Sequence, residues 1–406
     1  MAIGSFSEEQ YLRALSCMNA ERMIDLLRKM LRLPSFSRSK EESELALFLR
    51  DHLKSIGLEV QLQEVEKDRF NVLGTIQGTG GGKRLLLNGH MDVNPPAEGW
   101  TKDPYAGTIE EGWIFGIGAV NMKGGDAALI AAVDAIKKAG IELRGDVVLA
   151  LVVGELQGGI GTVRMLEQGM RADAFILAEP TELMAIIKHT GMVHVTITVV
   201  GRSCHLSSAE NGLSAIEAMI NFIHGVEKAP THGAKKLFER MNLGSIKGGL
   251  THEYHTWRPS LVPDYCTATC DFRIPPGQTE GSLLKGLKEM ARDFMEKRGA
   301  QIQIEPVPPP LYYHMPPFGV SEQEEIVQLV LENHRMVTGE NARIADFPPY
   351  FFYADDASHL NGKGRIPGVV YGPGGANVSR PDESIRVEDI ITASKVYLRS
   401  ILRFCA

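Results

Sequence analysis

The sequence predicts an α/β fold: a catalytic domain with a mainly parallel sheet and helices on both faces, and an α+β domain inserted into it. Three observations indicate this. Short apolar runs alternate with helical stretches through the first part of the 406-residue chain. Near residue 190 the pattern changes to alternating strands, and after residue 306 it returns to helix, strand and Gly-rich loop. Strands separated by helices are typical of parallel sheets.

The N-terminal elements follow from the spacing of apolar residues. Residues 7–33 and 40–57 have the periodicity of helices, and Gly57 ends the second of them. A further helix with a glycine stop is predicted over 124–140. Four short apolar segments predict buried strands: residues 71–78, 84–90, 146–155 and 173–179.

The inserted α+β domain is predicted to cover residues 191–306 and to act as a separate unit. Residues 1–190 and 307–406 then form the larger, catalytic domain, and the Pro-rich segment 306–317 is expected to be a stiff linker. The elements of the inserted domain alternate strand and helix: 191–201, 212–229, 264–277, 280–299 and 301–307.

Charge and composition exclude several classes of protein. The formal net charge is -7 and no Lys/Arg-rich run occurs, so neither nucleic acid nor an anionic membrane is an expected partner. The most apolar run, residues 147–154, is too short to span a bilayer. The N-terminus lacks the pattern of a secretory signal. Five scattered cysteines favour reduced thiols, and therefore a cytoplasmic protein.

Polar groups follow three of the predicted strands. His90 and Asp92 lie two residues apart and share a face of an extended chain. A carboxylate behind an imidazole fixes its tautomer, as metal and acid–base sites require; the alternative is a core histidine satisfied by a neighbour. Glu155 is a candidate general base, whereas a helix cap or a solvated loop acid is the alternative for it and for Glu179. Because the carboxyl ends of parallel strands share one sheet edge, we expect a cleft there.

Further candidate residues lie in loops. His205 is in a polar turn of the inserted domain, where a histidine is more often structural. Arg273 has the chemistry to clamp a substrate carboxylate, or merely to pair with Asp271. The segment YGPGGANVSRPDE contains Gly374 and Gly375, whose backbone N–H groups would either line a pocket or belong to an ordinary turn.

Two motifs carry a resemblance to a known family. They are GHMDVNPPAEGWTKDPYAGTIEEGWIFGIGAVNMKGG at residues 89–125 and GPGGANVSRPDE at residues 372–383. Together with the order of the pieces along nearly the whole chain, they resemble the M20 metallopeptidases, which include acetylornithine deacetylase, succinyl-diaminopimelate desuccinylase, aminoacylase-1 and carboxypeptidase G2. The resemblance implies a two-metal hydrolase of small molecules, whose inserted domain is a lid and the homodimer interface.

The same resemblance implies roles for individual residues. His90 and Glu179 match ligands of the first metal, and Asp92 matches the carboxylate that supports His90. Glu155 matches the general base. His205 matches a lid histidine that reaches the active site of the other subunit and stabilises the oxyanion.

The chain departs from the family pattern at its metal ligands. Asn121 stands where the family has the aspartate that bridges two metals, Leu156 where a glutamate binds the second metal, and Ser379 where a ligand histidine belongs. Ile117 replaces an arginine of the same region. An amide offers one neutral acceptor in place of two anionic oxygens, and leucine has no ligand atom. We therefore expect at most one divalent ion (zinc, manganese or cobalt), or none.

The expected function is that of an amidohydrolase or deacylase acting on a small N-acylated or carboxylate-bearing compound. Its reduced metal site leaves two alternatives open: a metal-independent lyase or isomerase with Glu155 as base, or a catalytically silent binding or scaffold protein. Arg380, which follows Ser379 in the chain, would place a fixed positive charge near the metal position that Ser379 leaves without a ligand. The residues expected to contact substrate are Asn121, Arg273, Gly374, Gly375, Ser379 and Arg380.

Overall fold

The computed structural model describes residues 6–228, 231–232, 235–251 and 259–406, which divide into two compact units. The first unit comprises Met1–Lys188, Gly319–Phe351 and Asp355–Ala406. The second comprises His189–Phe318 and Phe352–Ala354. Among the described residues, no helix combines the length and the apolar character needed to cross a membrane.

The secondary-structure elements are numbered in chain order. The helices are α1 (Glu8–Cys17), α2 (Ala20–Leu31), α3 (Lys40–Ser55), α4 (Gly124–Lys138), α5 (Ile160–Glu167), α6 (Ala215–Lys228), α7 (Glu280–Arg298), α8 (Glu325–Thr338), α9 (Ala357–Gly362) and α10 (Val387–Phe404). The strands are β1 (Glu59–Glu66), β2 (Arg69–Ile76), β3 (Leu85–His90), β4 (Thr108–Glu110), β5 (Trp113–Phe115), β6 (Val147–Val152), β7 (Ala174–Leu177), β8 (Lys188–His189), β9 (Gly191–Val200), β10 (Thr231–His232), β11 (Lys235–Lys236), β12 (Arg240–Gly249), β13 (Tyr265–Ile274), β14 (Gln301–Pro306), β15 (Phe318–Gly319), β16 (Gly368–Val370), β17 (Gly375–Ala376) and β18 (Ser384–Arg386).

The first unit is built on a six-stranded sheet with the strand order β1-β2-β6-β3-β7-β16. The pairs β6–β3, β3–β7 and β7–β16 are parallel, whereas β1–β2 and β2–β6 are antiparallel. Every residue of β3, β6 and β7 is buried. Helices therefore cover these central strands, as continuous apolar sequences in a parallel sheet require.

Helix α4 packs closely against the carboxyl end of β7. A Cβ atom on Gly125, in its first turn, would lie 2.2 Å from the carbonyl oxygen of Ala178. Only glycine permits so close an approach of two backbones. The contact draws the loop before α4, which carries Asn121, towards the strand end that carries Glu179.

The second unit contains a four-stranded antiparallel sheet in the order β12-β13-β9-β14. Strand β13 alternates buried and half-buried residues, and its two cysteines, Cys266 and Cys270, both face the core. The core also contains apolar residues of α6 and α7, such as Phe222 and Leu287. The predicted class, an α/β unit with a mainly parallel sheet and an additional α+β unit, is confirmed. Strands β1 and β12 were not predicted.

A buried ion pair joins α3 to β2. Arg69 donates from Nε to Glu42 Oε2 at 2.5 Å and from Nη2 to Glu42 Oε1 at 2.8 Å, and both side chains are buried. Burial raises the pKa of Glu42, and the hydrogen bonds from Arg69 oppose that rise. The two-point contact thus opposes protonation of a carboxylate that lies inside the protein.

We predict that Arg69→Met lowers the free energy of unfolding by about 3–5 kcal/mol, because it leaves the Glu42 carboxylate buried without its cation. The double variant Glu42→Leu/Arg69→Met should regain most of that loss, since both charges of the buried pair are then removed. Glu66, which also contacts Arg69, keeps access to solvent. Urea denaturation of both variants measures this, with Arg50→Met, at an exposed Arg50–Asp51 pair, as the control. If Arg69→Met were as stable as the wild type, the role assigned to the Arg69–Glu42 pair would be contradicted.

Candidate functional site

Three neighbouring strands of the central sheet bring three ionisable side chains to one edge. His90 is the last residue of β3, Glu155 follows β6, and Glu179 follows β7. In the parallel pairing of β3 with β7, Asn88 lies opposite Leu177. Two residues further along each chain, His90 and Glu179 are therefore level with each other. All three side chains are buried.

The atoms of this cluster lie at metal-ligand separations around one imidazole nitrogen. His90 Nε2 is 3.3 Å from Glu179 Oε1 and 2.9 Å from Asn121 Oδ1. Glu155 Oε2 is 4.0 Å from the same nitrogen. One ligand atom from each of His90, Glu155 and Glu179 lies within 4.8 Å of the other two. The arrangement has the dimensions of a site for one cation.

Asp92 holds this cluster in a way that the sequence did not indicate. His90 Nδ1 contacts the backbone carbonyl oxygen of Asp92 at 2.9 Å, whereas the Asp92 carboxylate is 3.6 Å from it. A carbonyl oxygen only accepts, so Nδ1 carries a proton and Nε2 faces the acids. The carboxylate instead accepts from Ser37 Oγ at 2.6 Å and from the N–H groups of Glu155 and Leu156 at 3.1 and 3.2 Å.

The loop that carries Glu155 is held at several points. Gly154 has φ +70°, and a Cβ atom there would lie 2.3 Å from Cγ2 of Ile160, so this position requires glycine. Asn71 accepts from the N–H of Val153 and donates to the carbonyl oxygen of Gly161. These contacts, with the two N–H groups bound to Asp92, fix the direction of the Glu155 side chain.

Burial and mutual charge shift the pKa values of the three groups. Burial disfavours charge on His90, but the carboxylates of Glu179, Glu155 and Asp92 outweigh it and hold its pKa well above the ordinary value. Burial raises the pKa of Glu155 well above its usual range, with His90 opposing the rise and Glu179 adding to it. Burial likewise raises the pKa of Glu179. The site therefore stabilises positive charge at its centre.

Two acidic residues near the cluster were not predicted. Asp356, from the loop before α9, is fully buried, and burial raises its pKa to about 8. Its charge also contributes to the raised pKa of Glu155. The sequence ADDAS at residues 354–358 places a pair of acids at the start of α9. That pair could have suggested a functional site, but acids at a helix start are equally typical of a helix cap.

Glu383, also not predicted, connects the loop of Asn121 to the loop of Ser379. Its Oε1 accepts from the N–H groups of Val120 and Asn121 at 2.9 and 3.1 Å, and its Oε2 accepts from the N–H of Ser379 at 3.2 Å. Both loops therefore border the cluster.

Within the described residues, the three positions that the resemblance assigns to ligands of a second metal carry no anionic side chain. A pocket beside His90 is lined by Asn121, Leu156 and Ser379, the three residues that replace metal ligands in the resemblance, together with Ile117 and Arg380. An amide oxygen, a hydroxyl group and hydrocarbon form no anionic ligand set. His90 and Glu179 fit one ion. The Glu383 carboxylate also lines the pocket, but both of its oxygens accept from backbone N–H groups, so the lining offers a poor ligand set for a second ion.

The remaining predicted residues lie outside this pocket. Gly374 packs against Asp389, and a Cβ on Gly375 would lie 2.3 Å from Val120, so the structure gives these glycines packing contacts. In the second unit, Arg273 Nη2 donates to Asp271 Oδ2 at 2.9 Å, the structural alternative considered above. His205 is exposed there, and its Nδ1 is 2.9 Å from Ser207 Oγ.

Residues 86–403 match the model of peptidase family M20/M25/M40. The chain belongs to this family. The resemblance seen in the sequence is thereby confirmed, and membership classes the chain as an M20-type hydrolase. Dinuclear metal sites are typical of the family, whereas this chain has the single group of His90, Glu155 and Glu179 among its described residues.

Solved structures of M20 proteins share the fold over nearly their full lengths. A tripeptidase of Staphylococcus aureus subsp. aureus Mu50 superposes with a TM-score of 0.76 at 20% identity, covering 95% of this chain and 99% of that one. An M20 metallo-carboxypeptidase of Sulfolobus solfataricus superposes with a TM-score of 0.75 at 20% identity, and the match covers 94% of this chain and 98% of that one. The YXEP protein of Bacillus subtilis, a dinuclear metal-binding M20 peptidase, superposes with a TM-score of 0.67 at 16% identity, and the match covers 95% of this chain and 98% of that one.

We predict that the triple variant Asn121→Asp/Leu156→Glu/Ser379→His binds one more zinc ion per chain than the wild type, because it supplies anionic and imidazole ligands. Elemental analysis after zinc loading and desalting measures the difference. A matched control changes three exposed residues that do not line the pocket to the same types: Asn377→Asp, Gln323→Glu and Ser321→His. Equal zinc content in the triple variant and the wild type would contradict this account of the second position.

Proposed function

We propose that this M20 hydrolase cleaves a C–N bond in a small N-acylated or carboxylate-bearing compound, using one divalent cation in place of the family's two. One observation carries the proposal: His90, Glu179 and Glu155 are buried together with their ligand atoms within 4.8 Å of one another. A group of this kind needs a positive charge at its centre, because burial of several carboxylates is costly without one.

The distances support a single ion at His90 Nε2. Two ligands of a tetrahedral zinc ion, each about 2.1 Å from the metal, lie about 3.4 Å apart. Glu179 Oε1, at 3.3 Å from His90 Nε2, fits this spacing, and Asn121 Oδ1, at 2.9 Å, is near enough to be a weak third ligand. Glu155 Oε2, at 4.0 Å, lies furthest from this nitrogen. We assign Glu155 to proton transfer and the other residues to the ion.

A bound divalent ion supplies Lewis acidity, which polarises a carbonyl and lowers the pKa of water. The chain's own residues supply proton transfer and the positioning of the base. Glu155 takes a proton from the attacking water at its carboxylate and later gives that proton to the leaving nitrogen, a task that suits a carboxyl group whose pKa is raised by burial. Asp92 keeps this carboxylate in position through the N–H groups of Glu155 and Leu156.

We also propose that residues 191–306 act as the lid and carry the contact of a homodimer, and that His205 completes the site of the other subunit. Strand β12, at one edge of its sheet, supports the dimer proposal, because it exposes the apolar side chains of Leu243 and Ile246. Exposed apolar residues on an unpaired strand edge favour pairing with another strand. A cytoplasmic location fits the reduced cysteines proposed from the sequence.

We predict that Glu155→Gln lowers kcat by about 100-fold or more, because it removes the base but keeps the volume. Zinc-loaded enzyme and a panel of N-acyl amino acids and dipeptides would be used to measure turnover. Zinc affinity, measured by calorimetry, should change far less, because His90 and Glu179 remain. Glu182→Gln, at an exposed residue, is the matched control. Unchanged turnover in Glu155→Gln would contradict the proposed role.

A further inference from the structure

A pocket of about 280 Å³ lies among helices α1, α2 and α10 of the first unit. We call it the three-helix pocket. Its lining consists of Leu15, Met18, Ala20, Met23, Ile391 and Lys395, none of which lines the pocket beside His90. An apolar cavity of roughly 150 Å³ is large enough to hold a benzene molecule. The three-helix pocket therefore has room for a larger hydrocarbon group.

Most of the lining is apolar and is not fully covered by the protein. Met23 is buried, whereas Leu15, Met18, Ala20 and Ile391 are only half-buried. Removing apolar surface from water is favourable by about 25 cal/mol per Å². A ligand with a hydrocarbon group would therefore gain free energy by covering these side chains.

Lys395 gives the three-helix pocket its charge. Two other cations of α10 pair with a carboxylate, Arg399 with Glu8 and Arg403 with Glu332. Lys395 is half-buried and has no such partner among the described residues. The end of α1 and the start of α2 both border the pocket, so their opposite helix dipoles offset each other. The ammonium group of Lys395 thus decides the sign, and the pocket favours an anion.

The lining also limits the kind of anion that fits. One ammonium group matches a single negative charge, whereas a phosphate ester carries roughly two. No acidic residue is among the described residues that line the pocket. The α-ammonium group of an amino acid would therefore find no counter-charge there, and Lys395 would repel it. These features together favour a monocarboxylate that has an apolar chain and no amino group.

We propose that the three-helix pocket binds an aliphatic monocarboxylate. Its carboxylate pairs with Lys395, and its chain packs against Met23 and Ile391. The proposed hydrolysis of an N-acyl compound releases a carboxylic acid of this class. Binding at the three-helix pocket does not depend on that reaction, because its lining shares no residue with the cluster of His90, Glu155 and Glu179.

The test uses three probes with the same carbon chain on the full-length, zinc-loaded protein. They are hexanoate, the neutral hexanamide, and norleucine, which adds an α-ammonium group. NMR of isotope-labelled methionine methyl groups follows Met18 and Met23, two of 16 methionines, assigned through Met18→Leu and Met23→Leu. Hexanoate should bind about 5-fold more tightly than hexanamide, the effect of one partly exposed ion pair. Norleucine should bind more weakly than hexanoate.

Two variants locate the binding. Lys395→Gln should abolish the preference for hexanoate over hexanamide, because it removes the charge. Lys54→Gln, at an exposed lysine that does not line the pocket, is the matched control and should keep that preference. Ala20→Leu, which fills part of the pocket, should weaken the binding of both probes.

Each of four results would overturn the proposal. They are no shift of the Met18 and Met23 signals with about 50 mM hexanoate, which nearly saturates a site whose Kd is about 10 mM; equal affinity for hexanoate and hexanamide; equal affinity for hexanoate and norleucine; or an unchanged preference in Lys395→Gln.

Met122 distinguishes this proposal from the proposed function. Its sulfur accepts from the backbone N–H of His90, so its methyl signal reports binding at the catalytic cluster. A hexanoate-dependent shift of Met122 alone contradicts the three-helix site and leaves the proposed function intact. Shifts of Met18 and Met23 in a protein that hydrolyses no C–N bond support the site and contradict the proposed function.

Discussion

The balance of buried charge at the edge of the central sheet is the constraint on which this site depends. The carboxyl groups of Asp92 and Glu383 are buried, and backbone N–H groups and a serine hydroxyl surround their oxygens. In the described part of the chain, Glu155 and Glu179 instead face the His90 imidazole, at 4.0 and 3.3 Å from its Nε2. Because desolvated carboxylates without donors are unfavourable, the cluster requires either protons or a cation. Asp92 and Glu383 hold the loops in place through these hydrogen bonds, whereas Glu155 and Glu179 favour a positive charge beside them.

Under the proposed function, this division explains how one metal position persists while the other is lost. The ligands of the first position are on β3 and after β7, strands buried in the core, so their geometry is fixed by the fold. The second position depends on side chains of three separate loops, at Asn121, Leu156 and Ser379. Replacing them leaves the backbone contacts of Glu383 and Asp92 untouched.

The chemistry that remains depends on the surviving position. General-base catalysis contributes roughly 10²–10⁴-fold, and enzymes reach about 10⁶-fold or more. For the proposed hydrolysis of a C–N bond, Glu155 alone therefore falls short, and a cation at His90 would supply the difference.

Much of this organisation could be predicted from the sequence. Apolar runs located β3, β6 and β7, and the polar residues after them identified the site, because strand ends of a parallel sheet converge. Strand β12 was missed because its side chains are mostly exposed and lack an alternating pattern. Asp356 comes from a distant loop, and the role of the Asp92 carbonyl oxygen is invisible in residue identity. Both depend on tertiary contacts, which local patterns do not encode.

The number of metal ions per folded chain tests the central claim most directly. Native mass spectrometry of the zinc-loaded protein, after removal of weakly bound metal, resolves zero, one and two ions as separate peaks. This account predicts one zinc ion per chain, lost in Glu179→Gln and retained in Glu182→Gln. Two ions in the wild type would show that the second position still binds metal, and none would show that His90 and Glu179 do not form a metal site.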